Sequence, residues 1–176
     1  TLSRMPLTQG NNASLVRTIT VTGQMSNWDG GVMAEYPTLT SIDFSRVSEY
    51  YTLASYAFDY DSAPCSLRTL YLPSSISYIQ EDAFNGCDSL AEINCFAITP
   101  PEVDSFSLRG IPSTAIVYVP AVALQLYQAD PFWRTLNIRP MDGNIVTLKA
   151  QLPPSINLAD YAGMFVQLHN TQNGLD

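Results

Sequence analysis

The sequence predicts an α/β repeat solenoid: short parallel strands stacked coil on coil, a C-terminal cap, and then a β-strand fragment of a second domain. Three observations predict it. Five stretches carry one three-beat apolar pattern: Val16-x-x-Ile19-x-Val21, Leu39-x-x-Ile42-x-Phe44, Leu67-x-x-Leu70-x-Leu72, Leu90-x-x-Ile93-x-Cys95 and Thr114-x-x-Val117-x-Val119. Their middle members advance by 23, 28, 23 and 24 residues, a step typical of solenoid repeats. Each unit is also too short to bury its apolar face alone, so the units must stack, which yields a quasi-one-dimensional rod with a repeated surface. Such a surface suits binding better than catalysis.

Residues 1–14 read as a lead-in or partial cap, and residues 15–140 as the repeat domain. Within each repeat the three-beat segment is a short strand whose alternate side chains point into the stack. Each strand pairs with the next to form a parallel sheet along one side. The second half of a repeat is clearest at Ile76 to Leu90. Ile76 and Ile79 make a buried edge, and Glu81-Asp82 suit the opening turn of a short helix or 3₁₀ segment. Ala83 and Phe84 tuck beneath the strand, and Asn85-Gly86 ends the turn. Leu53 to Asp59 repeats this layout with Ala57-Phe58, while Tyr56 is expected to pack beside that pair.

The string AFNGCDSLAEI, with strand ends Leu72-Pro73 and Val119-Pro120, resembles the BspA-like leucine-rich-repeat surface proteins of Bacteroides type. Ile116 to Pro120, continuing through Tyr127 to Trp133, resembles the last repeat and cap of such proteins. The resemblance spans roughly residues 15 to 140. It departs at the first repeat, where Val32-Met33-Ala34 and Tyr36-Pro37 stand in place of an Ala-Phe pair, and at the extra residues between Ser45 and Leu53. It implies a leucine-rich-repeat solenoid on the bacterial outer membrane that adheres to host or matrix proteins or to other bacteria.

A repeat array needs an end seal, since a terminal coil otherwise leaves its apolar face wet. Ala121 to Ala129 supplies one as a short helix with Val122, Leu124 and Tyr127 on one face, ended by Asp130-Pro131. Phe132, Trp133, Leu136 and Ile138 then close over the last strand. Tyr127 and Trp133 are read as cap residues rather than a ligand platform. After residue 140 the pattern changes. Ile145 to Leu152 and Met164 to Leu168 read as strands around Pro153-Pro154, so residues 141–176 read as the truncated start of a β-sandwich-like domain. The start without Met points to a processed or trimmed form.

The net charge of -8, with Lys149 the only lysine, excludes a basic stripe for nucleic acid. No run of eighteen apolar residues provides a membrane span, so a lipid anchor would lie outside this chain. Low charge (14%) with 10 Tyr and 2 Trp fits a secreted or cell-surface protein. Three cysteines without a CxxC pair match no zinc pattern. Cys95 falls on an inward beat. Cys65 and Cys87 fall close together on neighbouring coils, where a disulfide and a pair of thiols both remain open readings.

No catalytic machinery, cofactor site or metal site is expected. His169 is the only histidine, and no nucleophile elbow, P-loop or dinucleotide fingerprint occurs. Paired carboxylates for a glycosidase are limited to Asp59 with Asp61, in a turn that also lacks the further ligands of a Ca²⁺ loop, and to Glu81 with Asp82 at a helix start. The aromatic cluster is more suggestive. Tyr50, Tyr51 and Tyr60, with Trp28 in the preceding repeat, are the candidate ligand-binding residues, because exposed tyrosine offers rigid contact area with an orienting hydroxyl. The competing reading is that they shield a long loop. The expected function is non-catalytic binding of a protein ligand in adhesion, with carbohydrate recognition in a polysaccharide-handling system as the alternative.

Overall fold

The structure, a computed structural model, describes residues 13–25, 36, 38–58 and 65–141, all of which fall within the unit Thr1–Gly143. Expectations for the N-terminal lead-in, for Trp28, Asp59, Tyr60, Asp61 and His169, and for the strands beyond residue 141 lie outside the described residues.

A 3₁₀ turn at Ala13–Leu15 leads into β1, Thr18–Gln24. Then follow β2 (Ser41–Ser48), β3 (Thr52–Leu53), β4 (Thr69–Leu72), β5 (Tyr78–Ile79) and β6 (Glu92–Cys95). β7 (Glu102–Val103) and β8 (Ile116–Val119) precede a 3₁₀ turn at Ala121–Ala123 and the helix α1, Leu124–Ala129. A last 3₁₀ turn, Trp133–Thr135, enters β9, Asn137–Pro140. The strands form a six-stranded sheet, ordered β1-β2-β4-β6-β8-β9, and a three-stranded sheet, ordered β3-β5-β7. Among the described residues every pairing is parallel and joins segments one coil apart, so they form a parallel β-solenoid.

The five middle beats stand in one row: Ile19 pairs with Ile42, Ile42 with Leu70, Leu70 with Ile93 and Ile93 with Val117. From Ile42 to Val117 these side chains are fully or almost fully buried. Burying each such side chain stabilises the fold by about 1.5–3 kcal/mol, before conformational entropy is counted. Leu39, Leu67 and Leu90 make a second buried column, and Leu72 and Cys95 continue a third. Backbone bonds run along the stack beside them, from Thr40 N–H to Arg17 C=O (2.8 Å), Arg68 to Thr40 (2.8 Å), Ala91 to Arg68 (2.9 Å) and Ile116 to Ala91 (2.9 Å). These bonds fix the register that the apolar beats select.

Ile138 does not merely cover β8. It pairs with Val117 inside β9, a sixth strand of the long sheet. Thr114, read as an inward beat, is exposed, and Ala115 is buried in its place. Among the C-terminal apolar residues, Tyr127 and Trp133 are buried as expected, but Val122 is 82% exposed and Phe132 41% exposed. Ala123, four residues before Tyr127, takes the inward place intended for Val122, as α-helical spacing allows.

Residues 81–86 form consecutive turns rather than a regular helix. Asp82 sits at φ +57°, which interrupts a right-handed helix, while three-residue bonds such as Asn85 N–H to Asp82 C=O (3.0 Å) hold the turns. The three-stranded sheet aligns Ala57-Phe58 and Ala83-Phe84 with a third pair, Ser107-Leu108. Leu53 pairs with Ile79 and Ile79 with Val103, and each pair follows its strand at the same offset. Ser107 is fully buried, and its hydroxyl accepts the Asp104 N–H at 2.7 Å, so the polar substitution is satisfied locally.

Candidate ligand-binding surface

Alternation along a strand dictates which side chains leave the core. Residues flanking the buried middle beat point outward, and the register collects them into rows. One row runs Thr20, Asp43, Tyr71, Asn94, Tyr118 and Arg139 across all six strands. Beside it runs a second row, Thr18, Ser41, Thr69, Glu92, Ile116 and Asn137. At an interstrand spacing of about 4.8 Å, Tyr71 and Tyr118 stand about 10 Å apart with Asn94 between them.

Short local bonds hold the polar members of this face. Asn94 Nδ2–H donates to Glu92 Oε1 (2.6 Å), the Ser45 N–H donates to Asp43 Oδ1 (2.8 Å), and Arg139 Nε–H donates to Asn137 Oδ1 (3.4 Å). Each partner lies two residues away on the same strand, so side chains are oriented without drawing the rows together. The surface is therefore an extended strip with two half-buried tyrosines flanked by a carboxylate and a guanidinium.

The tyrosine cluster expected from sequence divides. Tyr51 is 50% exposed at the entry to β3. Tyr50 is fully buried, stacked at a tilt against Phe44 with ring centroids 5.4 Å apart, so it has no surface for a ligand. The cause is the extra length between Ser45 and Leu53. β2 continues to Ser48 and pairs with β1 past a register shift between Thr20 and Thr22, which turns Val47 and Tyr50 inward. Tyr56, expected to pack, is 52% exposed instead. It sits at φ +55°, which swings its side chain out of the coil while Ala57-Phe58 remain buried.

Tyr56 belongs to a cluster that spans three successive coils. Its hydroxyl donates to Asp82 Oδ2 (3.3 Å), and Arg109 donates to Asp82 Oδ1 through Nε (3.0 Å) and Nη2 (2.6 Å). The Arg109 guanidinium also lies 4.9 Å from the Phe106 ring centroid. The Asp82 charge, and then its hydrogen bond, raise the Tyr56 hydroxyl above its ordinary range. A hydrogen bond to Asp104 raises Tyr78 in the same direction. Both phenols therefore remain donors. With Asp82 buried and ion-paired beside an exposed Glu81, the arrangement serves to tie coils together.

Near α1, the Tyr127 hydroxyl donates to Ala97 C=O (3.0 Å), and Trp133 Nε1–H donates to Pro101 C=O (2.9 Å). Their rings meet edge to face at 5.2 Å. Both aromatics thus bond to the coil that follows β6, and neither offers a ligand platform. Among the described residues, no group of three or more His, Cys, Asp or Glu could hold a metal ion. No described helix is long and apolar enough to cross a membrane. No protein-family model matches the chain, and no curated protein matches it.

Proposed function

We propose that this chain is a non-catalytic binding module of the BspA-like leucine-rich-repeat type, displayed at a bacterial surface for adhesion through a protein partner. In this reading α1 and Trp133 form the cap that seals the array. The observation that carries the binding assignment is the outward strip on the long sheet, Asp43-Tyr71-Asn94-Tyr118-Arg139 in register over successive strands. An extended strip about 20 Å long, with tyrosines at its centre and opposite charges at its ends, resembles the contact half of a protein interface. Tyrosine anchors lose little conformational entropy when covered, and the charged ends select orientation.

A second reading is favoured by the alternation Tyr71-Asn94-Tyr118, an aromatic-polar-aromatic order suited to stacking and orienting the sugar units of a glycan chain. The two readings separate in one experiment. The full chain is tested by biolayer interferometry against immobilised extracellular-matrix proteins and, in parallel, on a glycan array. Under the adhesion reading, a matrix protein is bound and Tyr71→Ala with Tyr118→Ala weakens binding at least tenfold, whereas Tyr51→Ala leaves it unchanged. Binding confined to glycans selects the second reading. Protein binding undiminished by the double substitution overturns the assignment of the strip.

A further inference from the structure

The odd cysteine count resolves into a pair and a single thiol once the coils are stacked. Cys65 Sγ and Cys87 Sγ lie 3.4 Å apart, and both residues are buried, at 4% and 0% exposure. They stand just before Leu67 and Leu90, the inward leucines of the coils that carry β4 and β6, and those strands are direct neighbours. The coil spacing of about 4.8 Å falls inside the Cα separation that a disulfide accepts, about 4.4–6.8 Å. The sulfurs stand about 1.4 Å beyond the S–S bond length of about 2.05 Å. Among the described residues no third metal ligand joins them.

Cys95 is placed differently. Its sulfur lies 3.3 Å from the Tyr127 hydroxyl, whose own proton goes to the Ala97 carbonyl, and the residue is fully buried. Burial pushes its thiol up, which suppresses the thiolate. In contrast, the hydrogen bond from Cys87, helped by the Leu67 backbone N–H, lowers the Cys65 thiol. Cys65 is therefore a better attacking group than Cys95.

We propose that Cys65 and Cys87 form an intercoil disulfide when the chain folds in an oxidising compartment, with Cys95 left as a buried thiol. The co-reactant is a small disulfide such as oxidised glutathione. The Cys65 thiolate attacks it, forming a mixed disulfide and releasing one glutathione thiolate; the Cys87 thiolate then displaces the second glutathione. Two protein thiols are oxidised and one external disulfide is reduced to two thiols, which take up the two protons the cysteines gave up. The bond staples two coils of an array whose stability depends on nearest-neighbour contacts.

The test refolds the full chain in oxidised and reduced glutathione or in dithiothreitol, then counts thiols under denaturing conditions and maps linked peptides with two proteases. The expected result is three thiols after dithiothreitol and one after glutathione, with Cys65 joined to Cys87 and a melting temperature raised by about 10 °C. Cys87→Ser should abolish the shift. If that variant does not fold, peptide mapping of the unsubstituted chain still decides the matter. Three titratable thiols after oxidative refolding, or any linkage through Cys95, overturn the proposal.

Discussion

Replacing Leu70 by alanine perturbs the stack at its centre. Leu70 is fully buried and paired on one side with Ile42, also 0% exposed, and on the other with Ile93, at 1%. The cavity therefore opens between two coils whose backbones are hydrogen-bonded in fixed register, and neither can collapse without breaking that ladder. Limited relaxation places the loss toward the upper part of the Leu→Ala range, at about 4 kcal/mol. For a chain of this size that is a fall of roughly 10 °C in melting temperature. Ile19 occupies the same column in β1 but is only half-buried, so Ile19→Ala should lose about 1–2 kcal/mol. Leu70→Met keeps the volume and should remain within about 1.5 kcal/mol of the parent. Urea titration followed by circular dichroism measures all three variants. A loss for Leu70→Ala below about 1 kcal/mol, or one equal to that of Ile19→Ala, would refute the reasoning that column position sets the energy.

Three further outcomes are expected. Gly110→Ala should destabilise by about 2 kcal/mol or more, because its φ is +93° and an added Cβ would meet the Phe84 carbonyl oxygen at 2.2 Å. Gly23→Ala, at φ +94° with nothing within 4 Å of the added atom, should lose only about half as much; thermal melts compare the two. Asp82→Asn should weaken the fold less than Asp82→Ala in the same assay, since asparagine tolerates φ +57° and retains hydrogen-bonding capacity toward Arg109 and Tyr56. Burial raises the Tyr127 hydroxyl far above its ordinary range, with Cys95 adding to the effect. The folded state then keeps a proton that the unfolded chain releases, so this contribution is complete below about pH 10 and lost as pH rises further, by about 1.4 kcal/mol per unit. Tyr127→Phe should make the slope above pH 10 shallower in alkaline denaturation, while the raised Tyr56 and Tyr78 hydroxyls keep part of it.

The columns were legible because the three-beat pattern repeats at a nearly constant step and leaves no alternative inward face. The sixth strand escaped notice because only its middle beat is apolar: Thr135 and Pro140 occupy the places where Leu and Val or Cys stand in other coils. The third Ala-Phe equivalent was hidden in the same way by Ser107, whose burial depends on a hydrogen bond that composition does not reveal. Tyr50 and Tyr56 exchanged their expected roles for reasons set by backbone geometry. A strand extended through Ser48 redirected one inward, and a left-handed turn moved the other outward. Tyr71 and Tyr118 did carry a signal, since each lies between two apolar beats of its strand and alternation points it away from the core. Crowding of tyrosines, which singles out Tyr50, Tyr51 and Tyr60, is a weaker guide to exposure than register along the strand.

The outward residues form one row across six parallel strands. Pulsed electron spin resonance between nitroxides at Thr20 and Arg139 tests it most directly, with the labels attached through an unnatural ketone side chain so that the cysteines stay native. Five interstrand steps separate these exposed positions, and a narrow distribution near 24 Å, widened only by the label arms, is the predicted result. A distribution centred far from that value, or one as broad as an unfolded chain gives, would contradict the stacked register on which the fold and the proposed binding strip both rest.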